Sequence, residues 1–302
     1  MKLTGVFAPI PTPFDQDDRA DTDRLRAALE KWIARPLTGF VLLGSNGEAV
    51  LLDEFESDRL IVAAREVIPS DRPFIVGTGR ESTQATIRAT KRAAEHGADV
   101  VLVRTPGFFK SQMTNAAFVR HYTAVADASL VPVLLYNFTA LTGVNMLPAA
   151  VIELAAHPNI VGMKESGGDI AQITEVVANT PAGFQMLAGA LSSFYAALCV
   201  GCVGGVLAPA CVVTEACMRL FELTQEGRHD EARRLQHHLM PIAKLLGGAG
   251  YGIPGLKAAL DVIGYDVGIP RPPLAPAPEA AFEALRAAIV ALEDRFHEPA
   301  AR

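Results

Sequence analysis

Basic residues are too few in this sequence to form a surface for a polyanion. Lys and Arg number 27 against 33 Asp and Glu, so the 302-residue chain has a formal net charge of -6, and only 20% of its residues are charged. No segment concentrates basic with aromatic side chains, which is the composition that a nucleic-acid surface requires. We therefore expect no nucleic acid among its partners.

Membrane-spanning runs are also missing. The longest apolar stretch, YAALCVGCVGGVLAPACVV, extends from Tyr195 to Val213 but is interrupted by Gly-Gly and by Pro209. This pattern favours a buried helix followed by a buried strand over a membrane span. The N-terminal segment MKLTGVFAPIPTPF has too short an apolar run before its prolines to be a signal peptide. These two absences predict a cytoplasmic protein with no membrane partner.

Cysteine is scarce, and its four copies lie in or beside that apolar run, at Cys199, Cys202, Cys211 and Cys217. Cys199 and Cys202 have C-x-x-C spacing, which raises zinc or redox chemistry as one hypothesis. Neither a histidine nor an acidic residue lies between Cys199 and Cys202. Small buried thiols are therefore the favoured interpretation, and no metal site is expected.

Short apolar segments are what the sequence does contain, and half of its residues are hydrophobic. Eight such segments alternate with amphipathic helical patterns; they begin at Gly5, Gly39, Pro73, Asp99, Val131, Asn159, Phe184 and Val203. Parallel strands buried on both faces have continuous apolar runs, and helices connect them. Eight units predict an α/β fold of the (β/α)8 TIM-barrel type. An open doubly wound sheet is the alternative.

Beyond Gly227 only helical patterns remain, together with a proline-rich linker, IPRPPLAPAPE. We therefore divide the chain into a (β/α)8 catalytic barrel, residues 1–226, and a C-terminal helical region, residues 227–302. His237 and His238 lie on one of these helices, in a region with no other chemical signal, and are interpreted as ordinary surface or interface residues.

Polar residues follow several apolar segments, at what would be the mouth of a barrel. Lys164 ends the sixth segment, Tyr136 ends the fifth, and Gly44-Ser45-Asn46-Gly47 follows the second. Burial of an amine disfavours its charged form, so a lysine here is a candidate nucleophile for a ketone. A lysine that reaches the rim or pairs with Glu165 is the alternative. A neighbouring phenol can shuttle protons, and the glycine-flanked turn can direct backbone N–H groups at a carboxylate.

Three blocks in this order resemble a known superfamily: GSNGE at Gly44 to Glu48, YNFTALTG at Tyr136 to Gly143, and VGMKESGG at Val161 to Gly168. They are similar to the signature blocks of the dihydrodipicolinate synthase and N-acetylneuraminate lyase superfamily, the pyruvate-dependent class I aldolases. The likeness covers nearly the whole chain. It implies a barrel with a C-terminal helical region, a homotetramer built as a dimer of dimers, pyruvate and an aldehyde as small-molecule partners, and no metal or organic cofactor.

Carried over position by position, the resemblance makes Lys164 the Schiff-base lysine and Tyr136 the proton donor and acceptor. Ser45 and Asn46 would hold the carboxylate of the 2-oxo acid through backbone N–H groups, with the Ser45 hydroxyl touching Tyr136. Gly47 belongs to the same substrate-binding turn. The rest of the expected substrate pocket comprises two candidates for contacts to its distal part and two lining glycines: Thr142, Ser166, Gly204 and Gly205.

Residues at two places in the sequence bear on the identity of the second substrate, and they disfavour both lysine-pathway synthesis and sialic acid cleavage. Dihydrodipicolinate synthases carry an arginine two residues before the glycine that closes the tyrosine block; here that position is Leu141, which cannot grip a carboxylate. Sialate lyases have acidic residues just after the seventh strand, where this chain has Ala190, Leu191 and Ser192.

Within this superfamily the sequence closely resembles the 4-hydroxy-2-oxoglutarate aldolases, with which it shares GSNGE, ESTQAT, HPNIVGMK, SGGD and YGIPGLK in closely similar form. We therefore expect cleavage of 4-hydroxy-2-oxoglutarate to pyruvate and glyoxylate. Three alternatives stay open: a 2-keto-3-deoxy sugar acid aldolase, a dihydrodipicolinate synthase-type condensation, and a non-catalytic 2-oxo-acid binding protein.

Two departures from the family pattern affect the expected site. The family usually has a pair of tyrosines after the fourth strand, one of which reaches across a dimer interface to Ser45 and Tyr136; here the pair is Phe108 and Phe109. Without that phenol the proton relay must end at Ser45 or pass through water. Thr139 stands where a proline is common, a change that we expect to loosen the loop.

Overall fold

The eight predicted strands form one closed parallel barrel in the computed structural model, which describes residues 2–247 and 250–297. Consecutive strands are neighbours, and the eighth pairs with the first. The strands are β1 (Gly5–Pro9), β2 (Gly39–Leu42), β3 (Phe74–Gly77), β4 (Val100–Arg104), β5 (Val133–Asn137), β6 (Ile160–Glu165), β7 (Gln185–Ala188) and β8 (Gly204–Val206). The predicted TIM-barrel class is confirmed, and the open sheet is excluded.

Helices connect the strands and continue past the last one. They are α1 (Thr22–Ile33), α2 (Glu54–Val67), α3 (Thr83–Glu95), α4 (Asn115–Ala128), α5 (Thr139–Thr142), α6 (Pro148–Leu154), α7 (Ile170–Asn179), α8 (Phe194–Cys199), α9 (Thr214–Gln225), α10 (His229–Leu246), α11 (Gly252–Val262) and α12 (Glu279–His297). The last three supply the predicted C-terminal helical extension, with α10 packed against α9, α11 and α12. Whether residue 227 begins a separate domain stays a prediction, and part of that region lies outside the described residues.

The start of α2 shows how local sequence fixes these elements. Asp53 accepts a hydrogen bond from the Glu56 backbone N–H at 2.7 Å, and the Glu56 side chain accepts one from the Asp53 N–H at 3.2 Å. This reciprocal capping box satisfies N–H groups that have no partner inside the helix. The helix therefore begins at this cap, a few residues after the turn that carries Ser45.

Strand residues alternate between two apolar cores because successive side chains point to opposite faces of the sheet. The larger core lies between the strands and the helices. The smaller fills the barrel interior and includes Phe7, Val41, Ile75, Leu134 and Tyr136. Tyr136 therefore belongs to the interior of the barrel, and its polar tip lies at the strand's carboxyl end.

The four cysteines are free thiols, of which Cys202, Cys211 and Cys217 are buried as predicted and Cys199 is exposed, against expectation. Cys199 is the last residue of α8, where the helix end leaves its side chain outside the core. Burial raises the pKa of the Cys202 thiol to about 12. Within the described ranges, no three His, Cys, Asp or Glu side chains come close enough to hold a metal ion.

None of the helices in the described part of the chain is both long enough and apolar enough to cross a bilayer.

Candidate active site

Lys164 and Tyr136 lie side by side at the carboxyl ends of two neighbouring strands. Parallel pairing of β5 with β6 places Tyr136 opposite Lys164. Both side chains are nearly inaccessible, with relative exposures of 4% for Tyr136 and 3% for Lys164. The Lys164 Nζ lies 4.3 Å from the centroid of the Tyr136 ring. An amine and a phenol thus share one water-poor environment at the end of the barrel where TIM-barrel active sites lie.

A third polar group extends this pair. The Tyr136 Oη and the Ser45 Oγ are 2.9 Å apart, which is hydrogen-bond distance, and either oxygen can donate. Ser45 comes from the loop after β2, so the contact joins two βα loops across the barrel mouth. The hydroxyl contact that the family resemblance implied is present in this geometry.

The loop that carries Ser45 leaves two backbone donors free. The Gly47 N–H donates to the Gly44 carbonyl at 3.1 Å and closes a tight turn. Gly47 accepts a bond from the Thr12 hydroxyl at 2.6 Å, so its N–H and C=O are both engaged. The N–H groups of Ser45 and Asn46 have no acceptor within the part of the chain that the structure describes. Adjacent free N–H groups of this kind form an anion-binding concavity, while Gly47 shapes the turn.

Glu165, the residue after the lysine, does not pair with it. The Glu165 carboxylate accepts hydrogen bonds from the Asn137 side-chain amide at 2.7 Å and from the Gly167 N–H. Burial raises the pKa of this carboxyl. Since neighbouring residues of a strand point to opposite faces, Glu165 is directed away from Lys164. Among the described residues, Lys164 has no carboxylate within ion-pair distance. The ion-pair alternative weighed for Lys164 is therefore not the arrangement found.

A buried ion pair that sequence reasoning missed anchors the GSNGE loop. Glu48, the last residue of that motif, lies 2.8 Å from Lys257 Nζ, and both side chains are buried. Glu48 also accepts from the Arg271 backbone N–H at 2.8 Å, and Lys257 donates to the Ile269 carbonyl at 2.9 Å. Burial lowers the pKa of Lys257, while Glu48 opposes this change.

Glu48 and Lys257 belong to GSNGE and YGIPGLK, two of the motifs that the sequence shares with the aldolase family. Those motifs were the only indication in the sequence that the two residues matter. Nothing in the sequence showed that the two side chains meet. The C-terminal helical region thus holds the loop that presents Ser45 and Asn46.

A cavity of about 890 Å³ opens at the carboxyl end of the barrel, and Ser45 and Tyr136 line it. Leu141 and Thr142 from α5 form another part of its wall. The Thr142 hydroxyl accepts from Thr105 Oγ1 at 3.2 Å and lies 3.2 Å from two backbone carbonyls, so it also ties its own loop together.

The other sequence candidates are not among the residues that line this cavity: Asn46, Gly47, Lys164, Ser166, Gly204 and Gly205. The Ser166 hydroxyl is buried and has no hydrogen-bond partner within the described residues. Gly204 and Gly205 lie in β8, where both permit close packing, and their expected place in the substrate pocket stays a prediction. A Cβ on Gly204 would lie 2.0 Å from the Gly5 carbonyl oxygen, and one on Gly205 would lie 2.8 Å from the Phe194 ring. Only residues without a side chain permit these close approaches.

The rim of the cavity is unusually apolar. Phe108 and Phe109 are 77% and 69% exposed, and their rings meet edge to face at 5.1 Å. Leu141 and Val50, at 62% and 72%, add to the exposed apolar surface. Phe108, Leu141 and Val50 also line the cavity, so an apolar patch borders the entrance.

Comparison with known proteins agrees with this architecture. The family model of the dihydrodipicolinate synthetase family matches residues 2–292. A 4-hydroxy-tetrahydrodipicolinate synthase of Exiguobacterium is 37% identical over 274 residues, which are 91% of this chain and 92% of that protein. A probable mitochondrial 4-hydroxy-2-oxoglutarate aldolase of Emericella nidulans is 35% identical in an alignment 302 residues long that covers 98% of this chain and 94% of that protein.

Solved structures give the same result. A dihydrodipicolinate synthase of Bacillus anthracis superposes with a TM-score of 0.91 at 28% identity, covering 96% of this chain and 98% of the other. A prophage protein of the dihydrodipicolinic acid synthase family from E. coli K12, solved in complex with pyruvate, gives 0.89 at 25% identity, with coverages of 97% and 99%. Because the family model and the relatives span almost the whole chain, this protein is an enzyme of the dihydrodipicolinate synthetase family, a family of pyruvate-dependent lyases and synthases.

Proposed function

We propose that the protein is a Schiff-base-forming class I aldolase that cleaves a 4-hydroxy-2-oxo acid to pyruvate and an aldehyde. The observation that carries this proposal is the juxtaposition of Lys164, Tyr136 and Ser45 beside two free backbone N–H groups. This set combines a nucleophile, a proton carrier and a carboxylate-binding turn, the three elements that a 2-oxo acid requires.

The first half of the reaction forms the covalent intermediate. The N–H groups of Ser45 and Asn46 hold the substrate's C1 carboxylate, which fixes the C2 ketone near Lys164. The neutral Lys164 amine attacks C2, and loss of water from the resulting carbinolamine gives a protonated imine. Tyr136 donates and accepts the protons of this addition and dehydration, with Ser45 as its hydrogen-bonded partner.

The second half breaks the carbon–carbon bond. Tyr136 takes the proton of the C4 hydroxyl, the C3–C4 bond breaks, and its electron pair moves into the imine to give an enamine. The aldehyde leaves, C3 of the enamine is protonated, and water hydrolyses the imine to release pyruvate and free Lys164. The cleavage thus needs a proton carrier and an electron sink, and both are groups of this site.

The best candidate for the substrate is 4-hydroxy-2-oxoglutarate, which yields glyoxylate as the aldehyde. The Emericella relative with this name supports it, and Leu141 at the cavity wall offers no guanidinium for the carboxylate of a synthase substrate. Several relatives are named as synthases, which supports condensation of pyruvate with an aldehyde as the second candidate. A 2-keto-3-deoxy sugar acid aldolase would use the same Schiff base, and a non-catalytic 2-oxo-acid binding protein is the least favoured alternative.

The proposal includes a homotetramer built as a dimer of dimers. Monomers rarely leave large contiguous apolar patches in water, and the exposed pair Phe108 and Phe109 is such a surface. Since neither side chain has a hydroxyl, this pair cannot extend the Tyr136–Ser45 relay, which therefore ends at Ser45 or continues through water. A cytoplasmic location stays a prediction from the sequence.

The experiment that tests the function is a substrate panel. Purified protein is supplied with 4-hydroxy-2-oxoglutarate and a 2-keto-3-deoxy sugar acid, and pyruvate release is followed. In the reverse direction, pyruvate is supplied with glyoxylate and with aspartate semialdehyde. We expect the highest kcat/KM with 4-hydroxy-2-oxoglutarate and no turnover by Lys164→Ala. Faster condensation with aspartate semialdehyde would select the synthase, and pyruvate binding without turnover of any aldehyde would select the binding protein.

A further inference from the structure

The cavity beside Ser45 and Tyr136 contains carboxylates, but none is free. Glu48 lines the cavity and is paired with Lys257 at 2.8 Å. Glu81, the other acidic lining residue, lies 2.8 Å from Arg104 and accepts two backbone N–H groups. Both negative charges are therefore already engaged by groups of the protein.

The positive charges of the cavity are not balanced in the same way. Arg104 is engaged by Glu81. The guanidinium of Arg80 has no ion pair among the described residues and donates one hydrogen bond, to the Gly79 carbonyl at 3.2 Å. Lys110 differs, because within residues 2–247 and 250–297 its ammonium group has neither an ion pair nor a hydrogen bond. Among the described lining cations, Lys110 is thus the one whose charged group has no partner of either kind.

The position of Lys110 places this free charge against α5. A Cβ added to Gly143 would lie 2.7 Å from Lys110 Nζ and 2.8 Å from its Cε, so the end of the lysine side chain passes directly over the Gly143 backbone. Gly143 has a φ of 69°, and the two residues before it, Leu141 and Thr142, line the cavity. The absence of a side chain at Gly143 is what leaves room for the ammonium group at this wall.

We propose that Lys110 binds the distal carboxylate of the substrate, so that the enzyme selects a 2-oxo diacid over a 2-oxo acid with a neutral tail. This inference rests on the proposed function, in which the C1 carboxylate occupies the free N–H groups of Ser45 and Asn46. The distal carboxylate then meets Lys110, the lining cation of the same cavity whose charged group has no partner among the described residues. In the condensing direction, Lys110 favours aldehydes that carry a carboxylate, glyoxylate and aspartate semialdehyde alike, over neutral aldehydes.

The preference has a modest expected size. Lys110 is exposed, and water and salt weaken ion pairs at such positions. We expect about a five- to tenfold preference, the range that one partly screened charge-assisted contact supplies.

The test is equilibrium trapping on Lys164, which needs no turnover. Wild-type protein is titrated with 2-oxoglutarate and with 2-oxopentanoate, which has the same number of carbons and no distal carboxylate. Borohydride reduces the imine, and mass spectrometry gives the half-saturating concentration of each acid. Lys110→Met is the test variant and Lys110→Arg the conservative one. Lys91→Met, an exposed lysine of α3 outside the cavity, is the matched control. Pyruvate is trapped in parallel on each protein.

The proposal predicts that wild type, Lys110→Arg and Lys91→Met favour 2-oxoglutarate about five- to tenfold, and that Lys110→Met loses this preference while still trapping pyruvate. It is overturned if Lys110→Met keeps the preference, if wild type shows none, or if wild type traps pyruvate but neither five-carbon acid. Failure of wild type to trap pyruvate refutes the proposed function itself, and with it the role of Lys110. The pyruvate arm therefore distinguishes the two failures.

Discussion

Lys257→Met removes one partner of the most deeply buried ion pair at the site and is expected to destabilise the protein strongly. The Lys257 and Glu48 side chains are 2% and 0% exposed, and their charged atoms are 2.8 Å apart. Methionine keeps most of the volume of the lysine stem but leaves Glu48 buried without its counter-ion. Loss of one partner of a buried pair costs about 3 to 5 kcal/mol. Because Glu48 keeps its bond from the Arg271 N–H, we expect the lower end, about 3 kcal/mol.

The double variant Glu48→Gln/Lys257→Met is the matched control. It removes both charges, so no uncompensated carboxylate stays in the interior, and replacing a whole buried pair is often nearly neutral. We expect it to lose less unfolding free energy than Lys257→Met alone, although Glu48 is removed as well. A double variant more stable than the single one is the signature of a paired charge rather than of lost packing.

Urea unfolding followed by circular dichroism measures both effects through the shift in midpoint at constant m value. The same variants report on the loop, because Glu48 ends the turn that presents Ser45 and Asn46. In the condensing direction we expect a raised KM for pyruvate in Lys257→Met, partly restored in the double variant. The reasoning is refuted if Lys257→Met unfolds within about 1 kcal/mol of wild type, or if the double variant is less stable than the single one.

Three further predictions follow from other contacts. Tyr136→Phe removes the proton carrier and should lower kcat by about 10² to 10⁴ while Lys164 is still trapped by borohydride; unchanged turnover would contradict the role of the phenol. Burial lowers the pKa of His121 to about 4. The unfolded state therefore binds a proton at a higher pH than the folded state does. The unfolding free energy falls as the pH drops through the pKa that His121 has in the unfolded chain. Between about pH 7.5 and pH 5 this lowers the unfolding free energy by about 2 kcal/mol. His121→Gln should lose that part of the pH dependence when both proteins are unfolded with urea over this pH range. An equal slope of unfolding free energy against pH in wild type and variant would contradict the prediction. The double variant Phe108→Glu/Phe109→Glu should place charges in the proposed interface and lower the sedimentation coefficient below that of a tetramer. An unchanged sedimentation coefficient would show that this patch is not an interface.

The fold was predictable because parallel strands of a closed barrel are buried on both faces. Each strand therefore appears in the sequence as an apolar run, and the segments from Gly39 and Pro73 contain β2 and β3. The pairing of Tyr136 with Lys164 followed from the same order, since consecutive strands are neighbours in the barrel.

The rest of the site could not be predicted from local patterns, because it depends on contacts between distant parts of the chain. Arg271 and Glu48 are 223 residues apart, and no periodicity signals that they meet. The sequence alone also does not show that Gly5 approaches Gly204 so closely. Lys110 belongs to no motif that the sequence analysis identified. It becomes a candidate only because the structure shows that the carboxylates of the cavity and Arg104 are already paired.

The central claim is that Lys164 is the residue that forms the covalent bond with the 2-oxo acid. The most direct test is borohydride reduction in the presence of pyruvate, followed by peptide mass spectrometry, with Lys164→Ala as the control. The account predicts one reduced pyruvate unit per chain, located on Lys164 and absent from the variant. An unmodified wild-type protein, or an adduct on another lysine, would contradict it.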